Sequence, residues 1–379
     1  MVFEKIKNLV KHYRKKSPEK NNEEYKELSP KQLMWRKFIK HRVAVGASVI
    51  LIIFYTMIIF AEFFAPYSVN TDHIDYLSAP PDRIRFIDSE GKFHIRPFVY
   101  RRVGERDPDM LRFVYIEDKS KKDYLSLFVH GEEYKMFGFI KSNIHFFGVK
   151  EGNIFIFGTD HRGRDLLSRV IFGGRISLSI GIIGVVIIIF LGSIMGTISG
   201  YYGGLIDNVI QRFIEVLRTL PQIALWMALA AALPPALPST YVYLGIVLIL
   251  GLIGWTALAR EVRGKVLAIR RTDFIYAAEV SGASFGRVMF VHIIPNVSSH
   301  IIVTATLIIP EMILGESALS FLGLGIKPPM TSWGLLLNQV QEVQVLKHFP
   351  WLLFPGLFIV VSVLCFNFLG DALRDVIAP

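Results

Sequence analysis

Ionisable side chains interrupt the apolar stretches of this chain, and four of them are its first candidates for chemistry. Arg212 and Glu215 stand near the start of one apolar run, while Glu311 and Glu316 lie inside a later one. A charge in an apolar run is costly unless it faces water, a partner or the interior of a helix bundle. All four are therefore candidates for contacts with a pathway or a partner, although Arg212 and Glu215 equally fit the first turns of a helix that extends out of a bilayer.

The pattern that cradles nucleotide phosphates is absent from the sequence. A phosphate-binding loop reads Gly-x-x-x-x-Gly-Lys-Ser/Thr, because backbone amides and the lysine hold the phosphates. Gly264 and Lys265 are instead followed by Val266, and Ala259 stands five residues before the glycine. We therefore expect no nucleotide to bind to this chain.

The residue pattern likewise gives little indication of a metal site or of a catalytic nucleophile. His94, His130 and His145 lie far apart and show no ligand spacing, so they are interpreted as surface or satisfied histidines. Cys365 is the only cysteine, which excludes an internal disulfide and a sulfur-based metal cluster. No acid, base and nucleophile stand together. A membrane-anchored enzyme is therefore a minor alternative, and we predict no bound metal or cofactor.

Small residues at helical spacing mark the segment from Asp273 to Asn296. Ala277 and Ser281 are spaced i,i+4, as are Ala278 and Gly282, so a short helix here carries a low-relief face on which another backbone can pack closely. Spacing alone equally allows these residues to serve only the packing of membrane helices.

The two ends of this segment carry further signals. Gly282 is expected to mark the turn out of the short helix. A second helical turn or two is predicted from Phe285, and Pro295 is expected to block helical continuation at Ile294.

The composition indicates that the elements that position these residues lie in a membrane. Of 379 residues, 52% are hydrophobic, and the mean hydropathy is +0.43, which is too apolar for one soluble core. The formal charge is +10, but the basic residues concentrate beside apolar runs. Anionic lipid explains this charge better than nucleic acid does.

The first 42 residues predict a cytoplasmic start. Residues 1–42 carry thirteen Lys or Arg against five Glu. Their first part is too polar for a core and is interpreted as a disordered cytoplasmic tail, whereas from Pro30 apolar and basic residues alternate as in an interfacial helix. The apolar run that follows is too long for a cleaved signal peptide, so we interpret it as a retained span with its N-terminus inside.

Six runs are long enough to cross a bilayer, which needs about 20 residues. We predict an all-α polytopic protein with spans at 43–65, 176–198, 209–233, 241–259, 297–321 and 351–369. This order places residues 66–158 outside and the loop 260–296 inside. The loop holds six Lys or Arg against three acidic residues, as expected on the cytoplasmic side. Both termini are then cytoplasmic, and residues 159–379 form a core with five of the spans.

The outer segment 66–158 predicts a small, mostly-β insert between the first two spans. Five stretches rich in Phe, Tyr, Val and Ile are separated by Asp, Gly, Ser and Lys turns, which indicates four to six strands. These stretches are Arg83–Ile87, Phe93–Tyr100, Leu111–Ile116, Tyr124–His130 and Tyr134–Ile140.

Several motifs, in their order, resemble one known family over residues 29–66 and 158–379. They include Phe157-Gly-Thr-Asp-His-Arg-Gly-Arg-Asp-Leu-Leu-Ser-Arg169, Gly200-Tyr-Tyr-Gly-Gly204, Glu316-Ser-Ala-Leu-Ser-Phe-Leu-Gly-Leu-Gly-Ile-Lys-Pro-Pro329 and Asn367-Phe-Leu-Gly-Asp-Ala-Leu-Arg-Asp375. They are similar to signatures of the permease subunits of ABC peptide importers, specifically the second of the two paired subunits. The resemblance implies the type I ABC importer permease fold in the cytoplasmic membrane of a prokaryote.

The resemblance also assigns a role to the loop 260–296. Such permeases carry a cytoplasmic pattern of Glu-Ala-Ala, three residues and Gly, ending for peptide systems in His-x-hydrophobic-Pro-Asn, which inserts into a groove on an ATPase subunit. Here Tyr276 stands in place of the Glu. The implied ATPase-docking residues are Tyr276, Ala277, Ala278, Ser281, Gly282, Ala283 and Pro295.

The function that the resemblance implies is oligopeptide or dipeptide import by alternating access. Its implied partners are a second homologous permease, two cytoplasmic ATPases that bind ATP and magnesium, and an extracytoplasmic substrate-binding protein. Oligosaccharides or metal chelates are the alternative substrates within the same class. A secondary transporter driven by an ion gradient is a further alternative, for which only Glu311 beside Pro310 gives a hint.

Overall fold

The computed structural model describes residues 30–106 and 113–377. The predicted disordered tail and the first two residues of the stretch predicted at 111–116 lie outside these ranges. The described chain begins with α1 (Pro30–Lys40), α2 (Arg42–Ile59) and the short α3 (Ala61–Phe64). Leu33 and Trp35 of α1 are both exposed.

The helices after the insert make up most of the chain. They are α4 (Leu166–Tyr202), α5 (Gly204–Thr219), α6 (Gln222–Ala231), α7 (Ser239–Ile269), α8 (Asp273–Val280), α9 (Phe285–Arg287), a π-helical segment (Val288–Ile293), α10 (Ile294–Phe321), α11 (Trp333–Asn338), α12 (Val343–His348) and α13 (Phe354–Ile377).

Five helical stretches among the described residues are long and apolar enough to cross a membrane. They are Arg42–Ile59, Leu166–Tyr202, Ser239–Ile269, Phe285–Phe321 and Pro350–Ile377. A sixth candidate consists of α5 and α6, which are bent by 84° with respect to each other. The chain is therefore mostly helical, with five or six candidate spans.

The predicted single span at 209–233 is broken in the structure. Leu220, between α5 and α6, has φ −81° and ψ 140°. A residue that precedes proline is pushed from the helical to the extended region, and Pro221 follows Leu220. The bend is a local consequence of this proline.

Other spans are longer than predicted, among them those of α4 and α7, because hydropathy locates a bilayer core and not a helix end. The helix α4 begins ten residues before position 176, where the Asp165 carboxylate accepts a hydrogen bond of 2.7 Å from the Ser168 amide and caps it. The helix α7 continues to Ile269, past the predicted end at 259. The predicted loop 260–296 is consequently mostly helical.

The core of the bundle forms where α4 and α7 pack closely. Gly192, Gly196 and Gly200 occur every four residues on the face of α4 that meets α7. A Cβ atom at Gly196 would lie 2.5 Å from the carbonyl oxygen of Ala259. The glycines therefore permit a backbone approach that a larger residue would prevent.

The insert contains one four-stranded antiparallel sheet in the order β1-β2-β3-β4. Its strands are β1 (Arg85–Ile87), β2 (Phe93–Arg106), β3 (Phe113–Met136) and β4 (Ile140–Val149). The strands predicted at 124–130 and 134–140 were expected to be separate, but the first lies within β3 and the second runs from the end of β3 through the turn to the first residue of β4. The expected break between them is a register shift between His130 and Tyr134. The sequence interpretation missed β4.

The insert histidines have local partners. The His94 ring bonds the Asp88 carboxylate at 2.9 Å, and the His130 ring lies 3.1 Å from the side-chain oxygen of Asn143. No group of three or more His, Cys, Asp or Glu within residues 30–106 and 113–377 is arranged to hold a metal ion.

Candidate functional site

The helix α8 ends as the sequence predicts. The Gly282 amide donates to the Glu279 carbonyl at 2.9 Å, and the Ala283 amide donates to the Ala278 carbonyl at 3.0 Å. These two bonds form a Schellman motif, in which the residue after the C-cap adopts a left-handed conformation. Gly282 does so with φ +80°, so its predicted role as the turn out of the helix is confirmed.

One face of α8 is exposed and partly apolar. Tyr276, Ala277, Val280 and Ser281 recur at helical spacing, and all four are exposed in the structure. Val280 is 89% exposed, which is unusual for an apolar residue on an ordered helix. We call residues 273–284 the α8 segment.

The opposite face of α8 packs on the chain itself. Ile275 is fully buried, and Ala278 and Ala283 are half-buried against the main hydrophobic core. The structure therefore divides the predicted docking residues. Ala278 and Ala283 serve internal packing, whereas Tyr276, Ala277, Ser281 and Gly282 face outward.

Contacts with α4 and with the start of α9 hold the α8 segment in place. The Tyr201 hydroxyl donates to the Glu279 carboxylate, and the Tyr201 ring lies 5.1 Å from the Phe285 ring. The Arg270 guanidinium donates to the Gly200 carbonyl at 3.0 Å. The segment is thus fixed at the end of the bundle where α4 and α7 both terminate.

A partly exposed ion pair supports the same end. The Arg263 guanidinium donates two hydrogen bonds of 2.5 Å to the Asp207 carboxylate, which links α7 to α5. The Ser199 hydroxyl of α4 donates to the same carboxylate. A bidentate pair of this kind fixes the orientation of the three helices.

Pro295 does not end a helix, contrary to the prediction. The π-helical segment closes with a bond from the Ile294 amide to the Met289 carbonyl, five residues back. The Asn296 side-chain amide then donates to the His292 carbonyl at 2.6 Å. These bonds compensate for the backbone hydrogen bond that proline cannot donate. Pro295 therefore lies inside a continuous helix and outside the α8 segment.

The structure separates the four ionisable candidates. Arg212 and Glu215 are exposed on α5 and pair with each other at 2.8 Å. Glu311 is also exposed, and its carboxylate accepts a bond of 2.6 Å from the Gln222 side-chain amide, which connects α10 to α6. These three remain accessible to a pathway or a partner.

Glu316 differs from the other three, because its side chain is 0% exposed. Its carboxylate accepts hydrogen bonds from the Ser177 hydroxyl at 2.8 Å and from the Ser320 hydroxyl at 2.7 Å. The Ser177 oxygen in turn accepts from the Trp333 amide at 3.1 Å. In this structure Glu316 therefore has no exposed surface for the predicted pathway or partner contact, and we call these four residues the Glu316 cluster.

Sequence reasoning also missed a charged turn at the start of α4. The Asp160 carboxylate pairs with the Arg164 and Arg169 side chains, and it accepts from the Arg162 amide at 2.9 Å. Burial raises the pKa of the Asp160 carboxyl, but attraction to Arg169 and the contacts of Arg164 outweigh burial and leave the pKa below its usual value. These residues lie in the 157–169 motif, which was the available signal.

Comparisons with known proteins define the class. Residues 188–379 match the family described as "Binding-protein-dependent transport system inner membrane component". Residues 29–81 match the family described as "N-terminal TM domain of oligopeptide transport permease C".

Two relatives and two solved structures illustrate this similarity. The oligopeptide transport system permease protein OppC of Escherichia coli (strain K12) is 43% identical over 227 residues, which cover 59% of this chain and 72% of the relative. OppC of Haemophilus influenzae is 44% identical over 224 residues, covering 59% and 70%. An inward-facing MetNI methionine ABC transporter chain gives a TM-score of 0.43 at 17% identity, covering 56% and 97%. An amino acid ABC transporter solved with histidines gives 0.39 at 18%, covering 54% and 92%.

The chain therefore belongs to the family of binding-protein-dependent transport system inner membrane components. It is a multi-pass permease subunit of an ABC importer, and it works with ATPase subunits that are separate chains.

Proposed function

We propose that this chain is one of two permease subunits of an ATP-driven importer that carries oligopeptides or dipeptides across the cytoplasmic membrane. The names of its relatives support the peptide substrate, since both OppC proteins are oligopeptide permeases. The second permease, two ATPases and an extracytoplasmic binding protein complete the proposed assembly. ATP and magnesium are bound by the ATPases, and this chain binds no cofactor.

The proposed topology has six spans, with α5 and α6 together forming the third. Residues 1–42 and the C-terminus then lie in the cytoplasm, and the mostly-β insert 66–158 lies outside. The α8 segment follows α7 on the cytoplasmic side. Its six neighbouring Lys and Arg within residues 260–296 support this side.

The exposed face of the α8 segment is the observation that carries the ATPase contact. It is energetically favourable for another protein to cover an apolar side chain such as Val280, because burial removes apolar surface from water. The small Ala277, Ser281 and Gly282 beside it let a partner backbone approach. Tyr276, which replaces the Glu of the family pattern, offers a ring and a hydroxyl in place of a charge.

The segment also has the rigidity that coupling requires. It is anchored through Ile275, through the Tyr201–Glu279 bond and through the Arg270 bond to α4. A displacement of the ATPase surface is therefore transmitted to the ends of α4 and α7. We propose that this transmission switches the bundle between outward-open and inward-open states.

Substitution at two exposed glycines tests the proposal. Neither Gly282 nor Gly264 has an atom within 4 Å of the position that a Cβ would take. Only Gly282 has a left-handed φ, +80°, which strains any side chain, so Gly282→Ala is the control for backbone strain and is expected to retain transport. Gly282→Trp places a large ring on the proposed docking face, whereas Gly264→Trp places it on α7. We expect Gly282→Trp to abolish uptake of labelled peptide and stimulation of the ATPases, while Gly264→Trp retains both.

Membrane insertion and yield serve as the controls for both variants. Wild-type uptake and ATPase stimulation by an inserted Gly282→Trp protein would refute the docking role. Loss of transport in both variants would show that bulk, and not position, is responsible.

A further inference from the structure

An apolar hairpin tip beside the first membrane helix is left unexplained by the proposed function. Strands β3 and β4 are joined through Met136 to Ile140, and this tip exposes Phe137, Phe139 and Ile140. Phe139 is 74% exposed. Clustered exposed apolar side chains mark a surface that something apolar covers.

The tip lies against the end of α2. The Phe137 ring is 5.8 Å from the ring of Phe60, the residue that directly follows α2. Further back along the hairpin, Phe146 lies 5.8 Å from Phe63 and 5.2 Å from Phe64. The hairpin therefore runs along the end of a membrane-crossing helix instead of projecting into solvent.

Hydrogen bonds fix the hairpin in this position. The Glu132 carboxylate accepts from the Ser68 amide and from the Thr71 hydroxyl, both at 3.0 Å. The His145 ring nitrogens lie 2.6 Å from the Ala65 carbonyl oxygen and 3.0 Å from the Glu132 carbonyl oxygen. The distance of the tip from the membrane helix is thus set by the fold.

An apolar groove joins the hairpin to the membrane-facing side of α2. It has a volume of about 350 Å³, and its walls include Ile52 and Ile53 of α2, Phe146 of β4 and Leu167 of α4. Ile52 and Ile53 are exposed or half-exposed on a helix that is apolar enough to cross a membrane. The apolar surface is therefore continuous from the lipid-facing helix to the hairpin.

Two lysines flank the apolar tip. Lys135 and Lys141 pair across β3 and β4, and both are exposed. Aromatic side chains with basic residues at their edge are typical of segments that lie in the membrane interface, where anionic headgroups attract the charges.

We propose that the β3–β4 hairpin is seated in the outer leaflet of the membrane. Phe137 and Phe139 contact the upper part of the acyl chains, Lys135 and Lys141 contact the headgroups, and a lipid acyl chain occupies the groove. This inference rests on the proposed placement of the insert on the outer side.

A fluorescent probe at two positions tests this inference. In a Cys365→Ser background, Phe139→Cys and Ile95→Cys are each labelled with a polarity-sensitive fluorophore. Ile95 is the matched control, because it is apolar, 89% exposed and located on β2. The full-length chain is reconstituted into vesicles of equal parts phosphatidylcholine and phosphatidylglycerol. Doxyl-labelled lipid is expected to quench the probe at 139 roughly threefold more than at 95, and aqueous iodide is expected to do the reverse.

Two results would overturn the inference. Equal quenching by iodide at both positions would place the tip in water, and protection of position 139 from both quenchers would place protein on it. Labelling of Ile95→Cys by a membrane-impermeant thiol reagent in intact cells separately tests the outer placement. If position 95 is reached only after lysis, the proposed topology fails, whereas outside labelling with iodide quenching at 139 refutes the hairpin inference alone.

Discussion

The Glu316 cluster and the α8 segment break the usual arrangement of polar and apolar groups in opposite ways. Glu316 is a carboxylate buried without exposure, and Val280 is an apolar residue left almost fully exposed. The carboxylate receives two hydroxyl hydrogen bonds from within the chain. The apolar face of α8 receives no comparable cover from the described residues.

This difference distinguishes a polar group that stabilises the fold from a surface that contacts a partner. A buried polar group whose hydrogen bonds are supplied by its own chain stabilises the fold and needs no partner. An apolar face on a helix that is anchored from behind is complete only when another surface covers it. We therefore interpret the Glu316 cluster as a joint between α4, α10 and α11, and the α8 segment as an interface.

Removal of the Glu316 side chain is expected to give the largest effect on stability. Glu316→Ala leaves a cavity and deprives the Ser177 and Ser320 hydroxyls of their acceptor, which costs about 2–4 kcal/mol of unfolding free energy. Thermal unfolding of the purified protein in detergent measures this loss. Glu316→Gln keeps the volume and one acceptor oxygen, so we expect a smaller loss. An unchanged unfolding midpoint for Glu316→Ala would return this residue to the candidates for pathway contact.

A charge on the α8 face is expected to act on binding and not on stability. Val280→Asp lies on an exposed position, so unfolding free energy changes by less than about 0.5 kcal/mol. Affinity for the ATPase is expected to fall by roughly 2 kcal/mol, or about thirtyfold, as at an interface hot spot. Sedimentation of the ATPase with membranes measures this affinity. Val343→Asp on α12 is the control, and an equal loss there would contradict a localised interface.

The pH dependence of the capping carboxylate at α4 gives a graded effect. Burial raises the pKa of Asp165 from 3.8 to about 7. The folded chain therefore holds a proton that the unfolded chain releases, so this contribution is full below about pH 4 and falls by up to about 1.4 kcal/mol per pH unit towards pH 7. Asp165→Asn cannot ionise and is expected to remove this slope from the unfolding midpoint. Parallel slopes for the two proteins would show that Asp165 does not titrate in this window.

The sequence supported the class of the fold better than its boundaries. Apolar runs locate membrane spans because length and hydropathy suffice for that purpose. Helix ends depend on capping contacts such as Asp165 with Ser168, and the bend at Pro221 depends on one local restriction. Neither is visible to an average over twenty residues.

A residue of the candidate site could be predicted from the sequence where its own backbone conformation determines its role. Gly282 could be placed because a left-handed helix end favours glycine. The inward orientation of Ala278 and the burial of Glu316 could not be placed, since both depend on helices that are distant in sequence. Pro295 misled the prediction because a π-helical segment accommodates it.

Photocross-linking at Val280 tests the central claim most directly. A benzoylphenylalanine residue is introduced at Val280 in membranes that contain all subunits. The control carries it at Gly264, near the end of α7 that precedes the α8 segment. We predict an adduct between this chain and the ATPase from position 280 and none from position 264. An inserted protein that gives no ATPase adduct at 280, or gives equal adducts at both positions, would contradict the assignment of the α8 segment as the ATPase contact.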